Sequence, residues 1–154
     1  MSVRFDPVIG SFKNINPKLV TQVYGLIFNK KNQMLIVFNG KNNLWQLPGG
    51  KPEGVETYYQ TLKRELIEEA NIILDDTTIE DGYYQNVFKN DELTNIQLRC
   101  CARPKIIKKF VSDPDESIIE IRWIELEELD HYLPWGKALD CIIIVWQRWK
   151  KKFG

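Results

Sequence analysis

The residues best equipped for chemistry lie in one stretch, GKPEGVETYYQTLKRELIEEANI, from Gly50 to Ile72. It holds five carboxylates, Glu53, Glu56, Glu65, Glu68 and Glu69, against Lys51, Lys63 and Arg64. On a helix, residues three and four apart are neighbours, so Glu65, Glu68 and Glu69 gather around one side and repel one another. A divalent cation relieves that repulsion, and hard oxygen ligands on a partly open surface suit Mg²⁺ or Mn²⁺ better than zinc. Spacing alone also fits a solvated acidic face paired with Lys63 and Arg64. The preceding loop favours the cation. Pro48 to Gly54 contains three glycines and two prolines, a composition that holds an unusual backbone path and sets main-chain oxygen and amide groups beside the helix.

Such a site needs a scaffold, and hydrophobic patterning outlines one. VTQVYGLIFN, MLIVF and LWQL read as strands before the loop, with polar turns between them. Glu56 to Asn71 reads as a helix with Tyr59, Leu62 and Leu66 on its inward face, ended by Asn71 in the left-handed conformation. Ile72 to Leu74 returns to the core. Thr78 to Phe88 and Thr94 to Ile107 read as a hairpin turning at Asp91-Glu92. In SIIEIRWIEL, alternation sets Ile119, Ile121 and Trp123 on one side and Glu120 and Arg122 on the other. Glu125 to Tyr132 reads as a short helix. Pro134 is expected to start a final one, with Leu139, Ile142, Ile143 and Trp146 inward. Residues 1–17 read as an irregular arm, and 18–154 as one domain.

The loop and helix resemble the signature of the Nudix hydrolase superfamily. The matching positions are Gly50, Glu56, Arg64, Glu65, Leu66, Glu68, Glu69, Asn71 and Ile72; Asn71 stands where the family has glycine. The resemblance, MutT-like in the run WQLPGG before the helix, implies an α/β fold with a mixed β-sheet core sandwiched between helices. It implies a metal-dependent enzyme in which Glu65, Glu68, Glu69 and the Gly49 carbonyl hold Mg²⁺ or Mn²⁺. By the same resemblance Glu56 supports the cluster, and Glu68 is a ligand and water-orienting base. Arg64 is a partner of the carboxylates or, alternatively, a clamp on phosphate. A later acidic residue completes such sites; Glu116 and Glu120 are both candidates, Glu120 keeping the family's spacing to Trp123. The implied reaction is water attack on phosphorus in a nucleoside di- or triphosphate or a related nucleoside diphosphate derivative. Alternatives are ADP-ribose, a nucleotide sugar or a dinucleoside polyphosphate as substrate, or a noncatalytic domain that binds a nucleotide or a protein.

Trp45, Tyr83, Tyr84 and Trp135 are candidates for stacking on a base, though aromatic residues in such segments also simply pack. The 21 Lys plus Arg balance the 21 Asp plus Glu, which argues against a generic nucleic-acid binder needing surplus positive charge. With 18 aromatic residues the 154-residue chain can close a core, so disorder is excluded. No apolar run is long enough to span a membrane, and residues 1–17 lack the pattern of a signal peptide. The expected setting is cytoplasmic, with a small-molecule nucleotide as partner, no nucleic acid or membrane, and a homodimer as a family trait. Three cysteines without paired spacing exclude a disulfide scaffold. Cys100 and Cys101 are expected to place one sulfur inside and one outside.

Overall fold

The computed structural model describes residues 2–112 and 117–153. Its centre is a parallel pair, β2 (Val20–Ile27) and β8 (Glu92–Ala102), within a five-stranded mixed sheet. β7 (Glu80–Lys89) pairs antiparallel with β8, and β1 (Val3–Ile9) with β7. On the other flank, the two-residue β5 (Gly49–Gly50) pairs with β2. β3 (Met34–Asn39) lies between β4 (Leu44–Gln46) and β10 (Ile118–Ile124) in a second sheet. β6 (Ile72–Leu74) and β9 (Pro104–Ile107) form a third.

Helices cover both faces of the large sheet. α1 (Tyr58–Ala70) lays Leu62 and Leu66 on Val23, Ile27, Leu98 and Cys100. After the short α2 (Leu129–Tyr132), α3 (Asp140–Phe153) lays Ile142, Trp146 and Trp149 on Leu26, Phe28, Met34 and Cys101. This double cover overturns the expectation for Cys100 and Cys101. They do face opposite ways, but both are buried, each in its own core.

Other local expectations shift for identifiable reasons. Residues 3–9 form an edge strand, not an irregular arm; Pro7 is tolerated there because an edge position needs fewer ladder donors. The β7–β8 turn falls on Asn90 and Asp91, both left-handed at φ 50° and 65°, the geometry of a tight hairpin. A bulge between Ile118 and Glu120 buries Ile118 and turns Ile119 outward, while Ile121 and Trp123 keep the inward face. Tyr59 is exposed, and its hydroxyl donates to Asp81 at 2.7 Å. α3 begins at Asp140, after a 3-10 turn over Gly136–Leu139, so Pro134 does not start it.

α1 has strong local boundaries. Thr57 Oγ1 accepts from the Gln60 amide at 3.2 Å, and Gln60 Oε1 accepts from the Thr57 amide at 2.9 Å. This reciprocal cap satisfies two otherwise orphaned helix donors. Asn71 ends the helix at φ 56°, ψ 42°, and its Nδ2 donates to the Lys109 carbonyl at 2.9 Å. Asn71→Ala, which keeps the left-handed strain without that bond, is expected to lose about 1–2 kcal/mol in urea unfolding. Asn71→Gly trades the bond for relief of strain and is expected to stay within about 1 kcal/mol of the parent.

Candidate active site

The α1 carboxylates are organised by a single guanidinium. Arg64 grips Glu56 with two parallel bonds, Nε to Oε2 at 2.8 Å and Nη2 to Oε1 at 3.1 Å. Its Nη1 donates to Glu65 at 2.9 Å and to Glu68 at 3.3 Å, and lies 3.7 Å from Glu53. Nη2 also donates to the Lys51 carbonyl at 2.9 Å, fixing the glycine-rich loop to the helix. Planar, five-donor arginine suits this arrangement in a way lysine does not. Lys63 points elsewhere, pairing with Asp76 at 3.1 Å.

Glu69 turns to the other side of the loop. It is buried, and its Oε1 accepts from the Gly49 amide at 2.7 Å. The two glycines are required by close approach. A Cβ on Gly49, at φ 147°, would collide with the Val23 carbonyl, and one on Gly50 would collide with the Glu65 carboxylate. These missing side chains let β5 lie between β2 and α1.

The electrostatics divide the carboxylates. Glu56 is pulled down to about 2, first by the Arg64 hydrogen bonds and then by the Glu53 amide. Glu65 is raised, first by burial, with Arg64 opposing and Glu68 and Glu53 adding to the rise. The Glu56 carboxylate, protonating near 4.5 when unfolded, therefore adds stability above that pH, lost as pH falls toward about 2. Glu65 acts in the opposite sense, favouring the folded state once protonated. In chelator-containing buffer, Glu56→Gln is expected to lower Tm at pH 7 and to flatten the decline of Tm between pH 4.5 and 2; thermal melts across that range check it.

The other expected site residues scatter. Glu120 Oε2 accepts from Arg122 at 2.7 Å, and Arg122 also donates to the Tyr132 hydroxyl at 2.7 Å and stacks over Trp45. Glu120 and Trp45 thus belong to one surface group, and no contact joins Glu120 to Arg64 among the described residues. Glu116 lies outside the described residues. Tyr84 packs edge-on against Phe12 on the α1 side, with ring centroids 6.2 Å apart. Tyr83 is buried on the opposite, α3 side, and Trp135 is partly exposed over that side.

Strand register adds residues that the sequence does not single out. Ile9 pairs with Tyr83, Tyr83 with Arg99, Arg99 with Tyr24, and Tyr24 with Gly49. One row therefore crosses all five strands and ends at the glycine whose amide holds Glu69. Gln97 and Arg99 alternate with Ile96, Leu98 and Cys100, a pattern that reads as a solvated strand face until α3 is seen to return over it.

An oxygen-rich set with one arginine among Glu53, Glu56, Glu65 and Glu68 has the donor chemistry for a hard divalent cation. As placed, the carboxylates turn toward Arg64, and no three acidic side chains converge to hold an ion among the described residues.

Residues 18–143 match the family model described as the NUDIX domain. No curated protein matches the chain. Among solved structures, the chain is similar to a Bacillus subtilis pyrophosphohydrolase, with TM-score 0.72 and 14% identity over 95% of this chain and 90% of that one. It is also similar to a MutT from work on Aliivibrio salmonicida and Vibrio cholerae, with TM-score 0.59 and 22% identity over 84% and 96% of the two chains. A third likeness is to an ADP-ribose pyrophosphatase of Streptococcus suis, with TM-score 0.58 and 16% identity over 82% and 90%. At these identities the likenesses show the fold alone.

Proposed function

The chain belongs to the NUDIX family, hydrolases of phosphoanhydride bonds in nucleotide-like substrates, and on that premise we propose a metal-dependent pyrophosphohydrolase. Its substrate is a nucleoside di- or triphosphate or a related nucleoside diphosphate derivative. The carrying observation is the Arg64 group: three carboxylates hydrogen-bonded to one guanidinium, with Glu53 3.7 Å away, beside the Gly49–Glu69 bond. A solvated acidic face has no need of these contacts or of a glycine, Gly50, packed to admit Glu65.

In this reading Glu65, Glu68, Glu69 and the Gly49 carbonyl would hold Mg²⁺ or Mn²⁺, ions the family commonly uses. The bound cation would neutralise phosphate oxygens and make a water acidic enough to attack. Arg64 and Glu56 act as positioning residues, keeping Glu65 and Glu68 in place as outer partners do in metal sites. Glu68, half exposed at 48%, accepts the proton of the attacking water. The water oxygen bonds to phosphorus, the bridging P–O bond breaks, and its electron pair leaves with the departing phosphate. Glu116 or Glu120 remains the candidate later acid, and the Glu120–Arg122 bond favours Glu116.

Incubating the protein with nucleoside triphosphates and diphosphates, sugar nucleotides, ADP-ribose and dinucleoside polyphosphates, with Mg²⁺ or Mn²⁺, tests the reading. Product analysis should show cleavage within the phosphate chain that requires metal. No turnover of any compound with either ion would favour a nucleotide- or protein-binding domain instead.

A further inference from the structure

The α3 side of the sheet buries a charge that has no acidic partner among the described residues. Arg99 is only 6% exposed. Its Nη1 reaches the Gln97 carbonyl at a long 3.4 Å, and its Nε has no partner. Among the described residues it forms no ion pair. Its guanidinium carbon lies 5.1 Å from the Tyr24 ring and 5.3 Å from the Tyr83 ring. Burying an unpaired charge is costly, more so than burying a paired one. Burial accordingly pulls the Arg99 pKa down, although arginine retains its proton at neutral pH.

Two adjoining cavities share Arg99 and Trp135 as walls. One, of about 350 Å³, is completed by Tyr83, Gln85 and Gln97 with Phe5 at its edge. The other, of about 170 Å³, reaches Tyr24, Gln46 and Leu47. Together they have the size and lining of a small-ligand site, mostly apolar with a few convergent polar groups. The side-chain amides of Gln46, Gln85 and Gln97 make no hydrogen bonds to other described residues, so they remain available to a ligand. Among the described residues, Arg99 is the only cation on either lining. A phosphate group would gain a single charge partner there, among walls of aromatic rings and neutral amides. A flat ring with adjacent acceptor atoms uses every part of the lining.

The geometry points to Arg99 as a specificity-determining residue that selects a 6-oxopurine base, guanine or hypoxanthine. The guanidinium is a donor-only fork, and a 6-oxopurine presents two acceptors, O6 and N7, at matching separation. Adenine places an amino donor where O6 would be, against the fixed donors of Arg99. The rings of Tyr24, Tyr83 and Trp135 supply apolar walls beside this contact. Because Tyr24 pairs with Gly49 in the row that ends beside Glu69, a base in this cavity would leave its phosphates on the carboxylate side. The assignment rests on the proposed function only for that last placement.

Metal-free equilibrium binding of GMP, IMP and AMP, read by calorimetry and by tryptophan fluorescence, tests it without requiring turnover. GMP and IMP are expected to bind about 10- to 100-fold more tightly than AMP. Arg99→Met should erase that preference while leaving Tm unchanged or higher, since an unpaired buried charge has been removed. Arg99→Lys, which keeps charge without the fork, should lose most of it. Equal binding of GMP and AMP, or a preference that survives Arg99→Met and Arg99→Lys, overturns the assignment. Displacement of GMP by inorganic phosphate at equal concentration also overturns it, in favour of a simple anion site. Base-selective binding without hydrolysis of any diphosphate would sink the proposed enzyme and leave Arg99 its role. Hydrolysis without base preference would do the reverse.

Discussion

Glu69→Gln will keep the fold and lower kcat by about a thousandfold. Glu69 is buried, and Gly49 donates to its Oε1 at 2.7 Å. A glutamine carbonyl accepts the same bond, so β5 should stay seated between β2 and α1. What disappears is a negative charge at the meeting point of loop and helix. With Glu69 as a ligand of the proposed cation, losing it removes several kcal/mol of transition-state stabilisation, about 1.36 kcal/mol for each tenfold in rate. Circular dichroism and thermal melts should overlay the parent while steady-state turnover with Mg²⁺ or Mn²⁺ collapses. Turnover within tenfold of the parent would remove Glu69 from the proposed ligand set.

Arg64→Met should produce the largest loss of stability at the site. Four carboxylates lie within ion-pair distance of this guanidinium, whose side chain is 20% exposed. Its removal leaves Glu56 and Glu65, 20% and 14% exposed, without their cation, while Glu53 and Glu68 stay solvated, and a loss of about 2 kcal/mol is expected in chelator-containing buffer. Adding Mg²⁺ should raise the Tm of Arg64→Met more than that of the parent, because the freed carboxylates then have only the ion for neutralisation. Arg64→Lys should fall between the two, with its charge kept and its two-pronged grip on Glu56 lost. An Arg64→Met protein as stable as the parent without metal would show that the carboxylates do not depend on this contact.

The sequence was most informative where the interactions are local. Glu65 and Glu68 share a helix with Arg64 at near spacing and do meet it, whereas Glu69, expected beside them, turns instead to the Gly49 amide; Asn71 as a left-handed terminus follows from the demands of one backbone position. The edge strand over 3–9 is a different case: its partner is β7, distant in the chain, and Pro7 locally argues for a loop. The Ile118–Glu120 bulge likewise reverses which isoleucine is inward, and strict alternation contains no sign of it. Arg99 was hidden by a pattern that is correct but incomplete. Alternation places Gln97 and Arg99 away from Leu98, yet only the return of the chain through Trp135 and α3 makes their side an interior. Long-range cover of this kind is what a single sequence withholds.

The double cover of the sheet also makes Cys100 and Cys101 a matched pair of internal reporters. Burial raises both thiols well above their ordinary range, which leaves them unreactive in the closed molecule. Modification of Cys100 requires the α1 side to open, and modification of Cys101 the α3 side. Once the more accessible Cys141 is capped, the rates at which a thiol reagent reaches these adjacent residues would measure the two halves separately. Equal rates would mean that the layers part in one cooperative event; unequal rates would reveal which helix lifts first.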